Sequence, residues 1–329
     1  MRSRFAPSPT GDLHLGSVAV AVVARLLADE VRLRIEDIDA PRVVPGAAAR
    51  QQDDLAWLGI GFDGDPWFQS ARTSVYKGAL ARLEAAGKTY RCDCSRSEIA
   101  REASAPHAGE ELRYPGTCFA LREQARVWKR PPAIRLSVDG SAEGGTSHRV
   151  DGSAEGGTSH RVDPAATETW TDLRLGTRTE SVVATTGDFA LARPGMPGSL
   201  NATYAFVCAV DDGDDRITLV VRGDDLVNAT ARQRYLQRLL GLPVPEKYLH
   251  LPLLRGPDGE RLAKRHGALT VAALRATGKS PAEVLGPLAG ALGLVDDRRP
   301  RTLEEIRRAL RPREAWFAEP LPLVSELFR

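Results

Sequence analysis

A histidine two residues before a glycine, set directly ahead of an apolar stretch, is placed to meet a phosphate, and this chain carries one in His14-Leu15-Gly16-Ser17. The longer run Arg4-Phe5-Ala6-Pro7-Ser8-Pro9-Thr10-Gly11-Asp12-Leu13-His14 ahead of it reads as a short strand entering a turn made by Pro7, Pro9 and Gly11. A strand, a tight turn and then a helix present unpaired backbone N–H groups to an anion. Gly16 lets a nucleotide approach the backbone, and His14 can donate a hydrogen bond to a phosphate oxygen. His-x-Gly alone is a weak signal, because histidines more often cap helices or fill cores. The weight lies in the whole string.

Three further constellations carry chemistry. Late in the chain, Leu251-Pro252-Leu253-Leu254 leads through Gly256-Pro257-Asp258-Gly259 to Arg261-Leu262-Ala263-Lys264-Arg265. The chain has only six lysines among 45 basic residues, so a lysine kept in this turn is informative. A compact ammonium beside a triphosphate stabilises charge that develops during attack on the α-phosphate. Charged residues also stand at predicted strand ends, where open sheets place their ligand crevice: Arg4, then Glu36 in Arg34-Ile35-Glu36-Asp37, then Arg222 in Val221-Arg222-Gly223-Asp224. Each alone is an ordinary surface charge. Finally, three of the four cysteines cluster as Cys92-Asp93-Cys94 and Cys118, which suggests a metal rather than a disulfide framework. Zinc takes four ligands in a tetrahedron and favours thiolates, so one position stays open. His107, in Ala105-Pro106-His107-Ala108-Gly109, is the usual chemical candidate for it.

The elements that must hold these groups begin with a strand over residues 2–8, followed by a buried helix over Val18–Leu27. A strand over Val31–Ile35 and amphipathic helices over Ala47–Leu58 and Ser74–Ala86 come next. This β-α-β-α order implies an α/β fold with a parallel sheet covered on both faces. From Arg91 to about Leu191 the close-set cysteines, Pro131-Pro132 and short strand-like pieces (Ala133–Val138, Ser181–Ala184) read as an insertion in that core. Strand-like sequence resumes at Ala205–Val210, which includes Cys208 as a core residue, and at Ile217–Arg222. A helix is expected over Asn228–Leu240, and beyond Gly267 helical pieces separated by Pro281, Pro287, Pro300 and Pro312. Val138–Arg149 is followed at once by an identical copy at Val150–Arg161. Two polar, Gly-rich copies cannot stack into a solenoid, so they read as a duplication tolerated in an exposed loop, with His148 and His160 poor metal ligands.

Arg4–Ser17 resembles the signature region of glutamyl-tRNA synthetases, where the FAPSPTG-x-LH-x-G form is characteristic, and Arg261–Arg265 resembles the mobile lysine loop of the same family. Arg261 replaces its first lysine and Ala263 its serine, while Lys264 stands as the second lysine. The resemblance implies a class I synthetase Rossmann core over 1–90 and 192–267. It also implies an inserted zinc-bearing α+β subdomain over 91–191 and a small helical region over 268–329. His14, Gly16, Ser17 and Lys264 would then meet ATP, with His14 and Lys264 catalytic. Glutamate would be held by Arg4, Phe5, Ala6, Pro7, Ser8, Glu36, Tyr204 and Arg222. Its one ammonium and two carboxylates call for an acid and an arginine fork. For the metal, the resemblance points to Tyr114 as fourth ligand beside Cys92, Cys94 and Cys118, giving one structural zinc. Only about sixty residues follow the lysine loop. That length resembles the branch that adenylates glutamate and transfers it to queuosine in the anticodon of tRNA(Asp), the glutamyl-queuosine tRNA(Asp) synthetases. A truncated synthetase charging a tRNA 3′ end, a class I adenylylating enzyme acting on a small molecule, and a non-catalytic zinc-bearing RNA-binding module are the competing readings.

Composition is compatible with this. Hydrophobic residues at 42% and charged residues at 27% are ordinary for a globular protein, and a net charge of +2 neither demands nor excludes nucleic acid. Arg298, Arg299, Arg301, Arg307, Arg308, Arg311 and Arg313 could neutralise RNA phosphates, though Glu304, Glu305 and Glu314 interleave them. No apolar stretch is long enough to span a membrane, and the start lacks a secretory apolar region. We therefore expect a cytoplasmic monomer that takes Mg2+ with ATP, L-glutamate and queuosine-bearing tRNA(Asp).

Overall fold

The computed structural model describes residues 1–102, 114–138, 166–195, 200–254, 270–317 and 327. Lys264, His107 and the duplicated segment beyond Val138 lie outside them. The first half contains β1 (Arg2–Phe5), α1 (Leu15–Leu27), β2 (Glu30–Ile35), α2 (Ala47–Trp57), β3 (Trp67–Phe68) and α3 (Thr73–Ala85). The middle contributes β4 (Thr89–Cys92), α4 (Arg96–Glu102), α5 (Thr117–Ala120), β5 (Ala133–Leu136), β6 (Thr167–Asp172), β7 (Gly176–Ser181), α6 (Val182–Thr185) and β8 (Phe189–Arg193). After β9 (Asn201–Ala202) come α7 (Tyr204–Asp214), β10 (Leu219–Gly223), α8 (Thr230–Leu239) and β11 (Lys247–Leu251). Three short helices close the chain: α9 (Val271–Ala276), α10 (Pro281–Ala291) and α11 (Leu303–Arg308).

The α/β core is a parallel sheet built from two halves. β1, β2 and β3 pair in parallel, as do β10, β11 and β6, with β7 antiparallel on the far edge. The halves meet where Thr218 N–H donates to the Arg2 carbonyl at 2.9 Å and Arg2 N–H to Thr218 Oγ1 at 2.9 Å. The order β3-β2-β1-β10-β11-β6 therefore reverses direction between β1 and β10, which is where doubly wound sheets open their ligand crevice.

Alternation along the central strands builds a core on each face. Leu219, Val221, Leu249 and Leu251 pack with α1, α10 and α11, while Val220 and Tyr248 pack with α3, α7 and α8. Helix α1 is buried almost all round, from Leu15 through Leu26, and its alanines let the sheet and α10 approach closely. The segment between 91 and 191 divides its strands. β4, β5 and β8 join β9 in a separate antiparallel sheet, whereas β6 and β7 extend the parallel one. β6 and β7 lack the apolar alternation that marks a half-buried strand, since Trp170 is the one apolar side chain in them.

Three expected elements differ. Ala205–Val210 is not a strand but the middle of α7. A short apolar run has no period with which to distinguish a buried strand from a buried helix. Here the helix runs on through Asp211 and Asp212, both buried, which read in the sequence as the polar end of a strand. Ser181–Ala184 is a boundary rather than a strand: Ser181 ends β7 and caps α6, accepting from Ala184 N–H at 3.3 Å. Pro281 stands between α9 and α10 as expected, but Pro287 does not separate helices. Pro281 opens α10 behind a capping box of Ser280 and Glu283, and Pro287 lies inside it.

Gly286 is required by close packing on α10. A Cβ there would meet the Arg299 carbonyl oxygen at 2.0 Å and the Arg301 nitrogen at 2.7 Å. Both obstacles are backbone and cannot swing aside. Gly286→Ala is expected to destabilise the protein by about 3 kcal/mol, the upper range for overpacking, visible as a midpoint shift in urea unfolding. An unchanged midpoint would show that the 297–301 segment is not packed against α10.

Candidate active site

The turn after β1 delivers His14 to the N-cap of α1, so the helix begins three residues before the sequence pattern suggested. Its Nδ1 accepts from Ser17 N–H at 3.2 Å, and its Nε2 lies 3.3 Å from Ser17 Oγ. Gly16 has a second reason to be glycine: a Cβ there would stand 3.0 Å from His14 Nδ1. The imidazole thus packs against the first turn, at the positive end of the helix dipole. Thr270 forms an antiparallel bridge with His14, and Val271 N–H donates to the Leu13 carbonyl at 2.8 Å. The backbone at Thr270 and Val271 is therefore held beside His14.

The crevice between β1 and β10 holds the charged residues expected there. Arg4 is buried on β1, and its Nε donates to Asp212 at 2.9 Å while its Nη1 donates to the Val221 carbonyl at 3.1 Å. Glu36 follows β2, and its backbone N–H donates to the Pro7 carbonyl at 3.0 Å, which ties the Ala6–Ser8 turn to it. One carboxylate oxygen of Glu36 accepts from Arg34 Nη2 at 3.2 Å and from the Cys208 thiol at 3.2 Å. The other has no partner among the described residues and is available to an ammonium. Tyr204 opens α7, and burial first, then Cys208 and Glu36, push its hydroxyl well above the ordinary phenol value. Arg222 and Arg4 act on the same hydroxyl in the opposite sense, so all four expected residues share one electrostatic neighbourhood. Arg222 is buried at the end of β10 and donates to His250 Nε2 at 3.1 Å, Gln233 Oε1 at 2.7 Å and Thr230 Oγ1 at 2.8 Å.

Several participants were not recognised in the sequence. Arg34 is fully buried and bonds Asp212 at 2.6 Å, so Asp212 bridges Arg4 and Arg34 beneath the crevice. Arg34 on β2 and Glu36 just past its end are two residues apart, the spacing that shares a face in a strand, a legible signal, but alternating basic residues suggest a solvated face. Burial raises the Asp211 carboxyl to about 6 despite donors from Gln69, Tyr76 and Arg72. Its neighbour Asp212 is equally buried, yet Arg4 and Arg34 hold it below the usual carboxylate range. Cys208 is buried as expected, but on a helix, with its thiol on Glu36 rather than on apolar neighbours alone.

The cysteine cluster forms a separate site. Cys92, Cys94 and Cys118 bring their sulfurs within 4.8 Å of one another, and all are free thiols. The Cys94–Cys118 separation of 3.5 Å is too long for a disulfide. It is close to the tetrahedron edge of about 3.8 Å set by two zinc–sulfur bonds of about 2.3 Å. The Tyr114 hydroxyl lies 3.4 Å from Cys92 Sγ and 3.7 Å from Cys94 Sγ, on the open side. Burial pushes the Cys94 thiol up to about 12, whereas Cys118, though also desolvated, is held below its usual value by Arg126 and Tyr114. Three sulfurs and one oxygen in this arrangement fit a structural zinc. Beside the cluster, and away from the crevice, an open cavity of about 480 Å³ is lined by Tyr90, Arg91, Arg122 and Trp128.

A doubly wound parallel sheet, a histidine-capped helix at its crevice and an inserted antiparallel sheet are the marks of a class I synthetase core. The chain belongs to the family described as tRNA synthetases class I (E and Q), catalytic domain, matched over residues 1–172 and 198–294. It is 41% identical over 323 residues to a glutamyl-Q tRNA(Asp) synthetase of Nocardia farcinica, covering 95% of this chain and 92% of that one. A glutamyl-Q tRNA(Asp) synthetase of Burkholderia mallei is 42% identical over 309 residues, covering 90% and 89%. Among solved structures, the glutamate-tRNA synthetase of Elizabethkingia anophelis superposes with a TM-score of 0.70 at 23% identity, over 99% of this chain and 69% of that one. The last likeness concerns the fold alone. Among the described residues no helix is long and apolar enough to cross a membrane.

Proposed function

We propose that the protein activates L-glutamate with ATP as glutamyl-adenylate and transfers the glutamyl group to queuosine in the anticodon of tRNA(Asp). The observation that carries this is the gathering of Arg4, Glu36, Tyr204 and Arg222 in the crevice next to a histidine-capped helix. Glutamate fits that set charge for charge: its ammonium meets the open oxygen of Glu36, and its carboxylates face Arg4 and Arg222. The names of the relatives support the acceptor.

In the first step a glutamate carboxylate oxygen attacks the α-phosphorus of ATP, which enters as its magnesium complex, and pyrophosphate leaves. His14 and the first turn of α1, with Gly16 and Ser17, hold the phosphates, and Lys264 stabilises the charge that builds on them. In the second step a hydroxyl of the queuosine ring attacks the acyl carbon and AMP departs. The two steps call for no side-chain nucleophile, so the acceleration rests on positioning and electrostatics.

Glutamate-dependent pyrophosphate exchange, run with and without tRNA, tests the first step. Exchange without tRNA is expected, and its absence in folded protein refutes the activation. Mapping the labelled glutamate after nuclease digestion tests the second, since label on the 3′ adenosine would favour the truncated-synthetase reading.

For the metal, we expect one zinc per chain on Cys92, Cys94, Cys118 and Tyr114 in protein purified without added metal. Cys118→Ser should lower the content at least fivefold. Less than a tenth of an equivalent in folded, active wild-type protein would remove zinc from the account.

A further inference from the structure

Arg222 is held by an unusual chain of buried groups. Its Nε donates to His250 Nε2 at 3.1 Å, and His250 Nδ1 lies 2.5 Å from Asp172 Oδ2. The three residues come from three neighbouring strands of the parallel sheet, β10, β11 and the end of β6. His250 is fully buried and Asp172 nearly so. An arginine can only donate, so His250 Nε2 must be the acceptor and Nδ1 must carry the proton given to Asp172. The other oxygen of Asp172 accepts two backbone N–H groups, from Arg174 and Leu175, both at 2.9 Å. The carboxylate is therefore fixed by the backbone, the imidazole by the carboxylate, and the guanidinium by the imidazole.

We propose that Asp172 and His250 are positioning residues for substrate: they lock the tautomer and ring that aim the Arg222 guanidinium, and thereby set glutamate affinity. The inference rests on the reading that Arg222 holds a glutamate carboxylate. Gln233 and Thr230 take one hydrogen from each terminal nitrogen. Among the described residues, this leaves one hydrogen on each of those nitrogens, a fork that matches a carboxylate. All three direct partners are neutral when His250 is neutral, so the guanidinium charge is not cancelled at contact distance. Burial lowers the His250 basicity in spite of Asp172, which agrees with a neutral ring between Asp172, Arg222 and Arg174. A mere structural ion pair would have placed a carboxylate directly on Arg222. Here the carboxylate stands one residue back, which orients the cation without neutralising it.

Asp172→Asn tests this with almost no change of shape. The amide oxygen stays with the two backbone N–H groups, so its NH2 must face His250 Nδ1. That forces the proton to Nε2, where it opposes the Arg222 N–H. Pyrophosphate exchange should then show the KM for glutamate raised at least tenfold, with the KM for ATP within about threefold of wild type. His250→Gln, whose oxygen can accept at the Nε2 position, should raise the glutamate KM less than His250→Ala does. In wild-type protein, nitrogen NMR of the His250 ring, assigned by its loss in His250→Gln, should show the neutral Nδ1–H form. This last measurement holds even if Asp172→Asn fails to fold.

Arg222→Ala separates the two claims. If it raises the glutamate KM while Asp172→Asn leaves it within twofold, the relay is wrong and the glutamate site stands. Should Arg222→Ala itself leave the glutamate KM unchanged, the assignment of Arg222 fails and the relay falls with it. An Nε2–H tautomer in the wild type would overturn the relay on its own.

Discussion

Lys264→Ala is expected to lower glutamate-dependent pyrophosphate exchange by about 10²-fold or more, the scale of losing a charge that acts mainly in the transition state. That factor corresponds to about 2.7 kcal/mol of barrier. As pyrophosphate separates from the α-phosphorus, negative charge grows on the leaving oxygens, and a compact ammonium gains more there than in the ground state. The KM values for ATP and glutamate should therefore change far less than the rate. Lys264→Arg should recover only part of the loss, because a planar guanidinium spreads its charge and needs more room. Arg261, Arg265 and His14 would still contribute, which keeps the expected loss finite. A rate within threefold of wild type would return Arg261–Arg265 to a basic surface turn.

The parts of this site that sequence alone made legible share one property: they act through local geometry. His14, Gly16 and Ser17 occupy a single turn of helix, and their spacing states their relation. The three cysteines likewise sit on two short segments, and their clustering suggested a metal. Arg4, Glu36 and Arg222 stand at or just past strand ends, which in a parallel sheet face one crevice, but only the resemblance grouped these ordinary charges as a glutamate site. What stayed hidden was long-range pairing. Nothing near Asp212 announces that it lies between Arg4 and Arg34, and an acid after an apolar run looks like the start of a loop. The same blindness turned α7 into a strand, since the burial of Asp211 and Asp212 that lets the helix continue depends on cations from β1, β2 and the turn before α3. Asp172 and His250 were invisible for this reason too: each is ordinary in its own strand, and only the order β10-β11-β6 brings them to Arg222.

Asp212→Asn should be the most damaging single substitution for the fold of the crevice. Asp212 Oδ1 accepts from Arg4 Nε at 2.9 Å and from Arg34 Nη1 at 2.6 Å, where the two arginines are 3% and 0% exposed. An amide keeps the shape but leaves two buried guanidinium groups facing only Glu36 and, without a direct bond, Asp211, both through Arg34. Removing one partner of a buried ion pair costs about 3–5 kcal/mol, mostly from the charge left behind. Urea unfolding at pH 7 should show a loss in that range, and the KM for glutamate should rise because Arg4 loses its anchor. The pH dependence gives a sharper test. Burial opposes ionisation of Asp212, but Arg4 and Arg34 outweigh it, so its native pKa lies below that of the unfolded chain, about 3.9. A depressed carboxylate stabilises the fold fully above the unfolded value and loses that contribution as pH falls through the native one. The gap between wild type and Asp212→Asn should thus be constant from pH 7 to about 5 and shrink below about 4. Asp211 works in the opposite sense: burial raises it to about 6, so the native state takes up a proton between pH 6 and 4 that the unfolded chain does not, and this group favours folding on acidification. Arg34 faces both carboxylates, so Asp211→Asn is added to both proteins to remove that term before one stability profile is subtracted from the other. A gap under 1 kcal/mol at pH 7, or one that stays constant down to the acid transition, would show that Arg4 and Arg34 do not depend on this carboxylate.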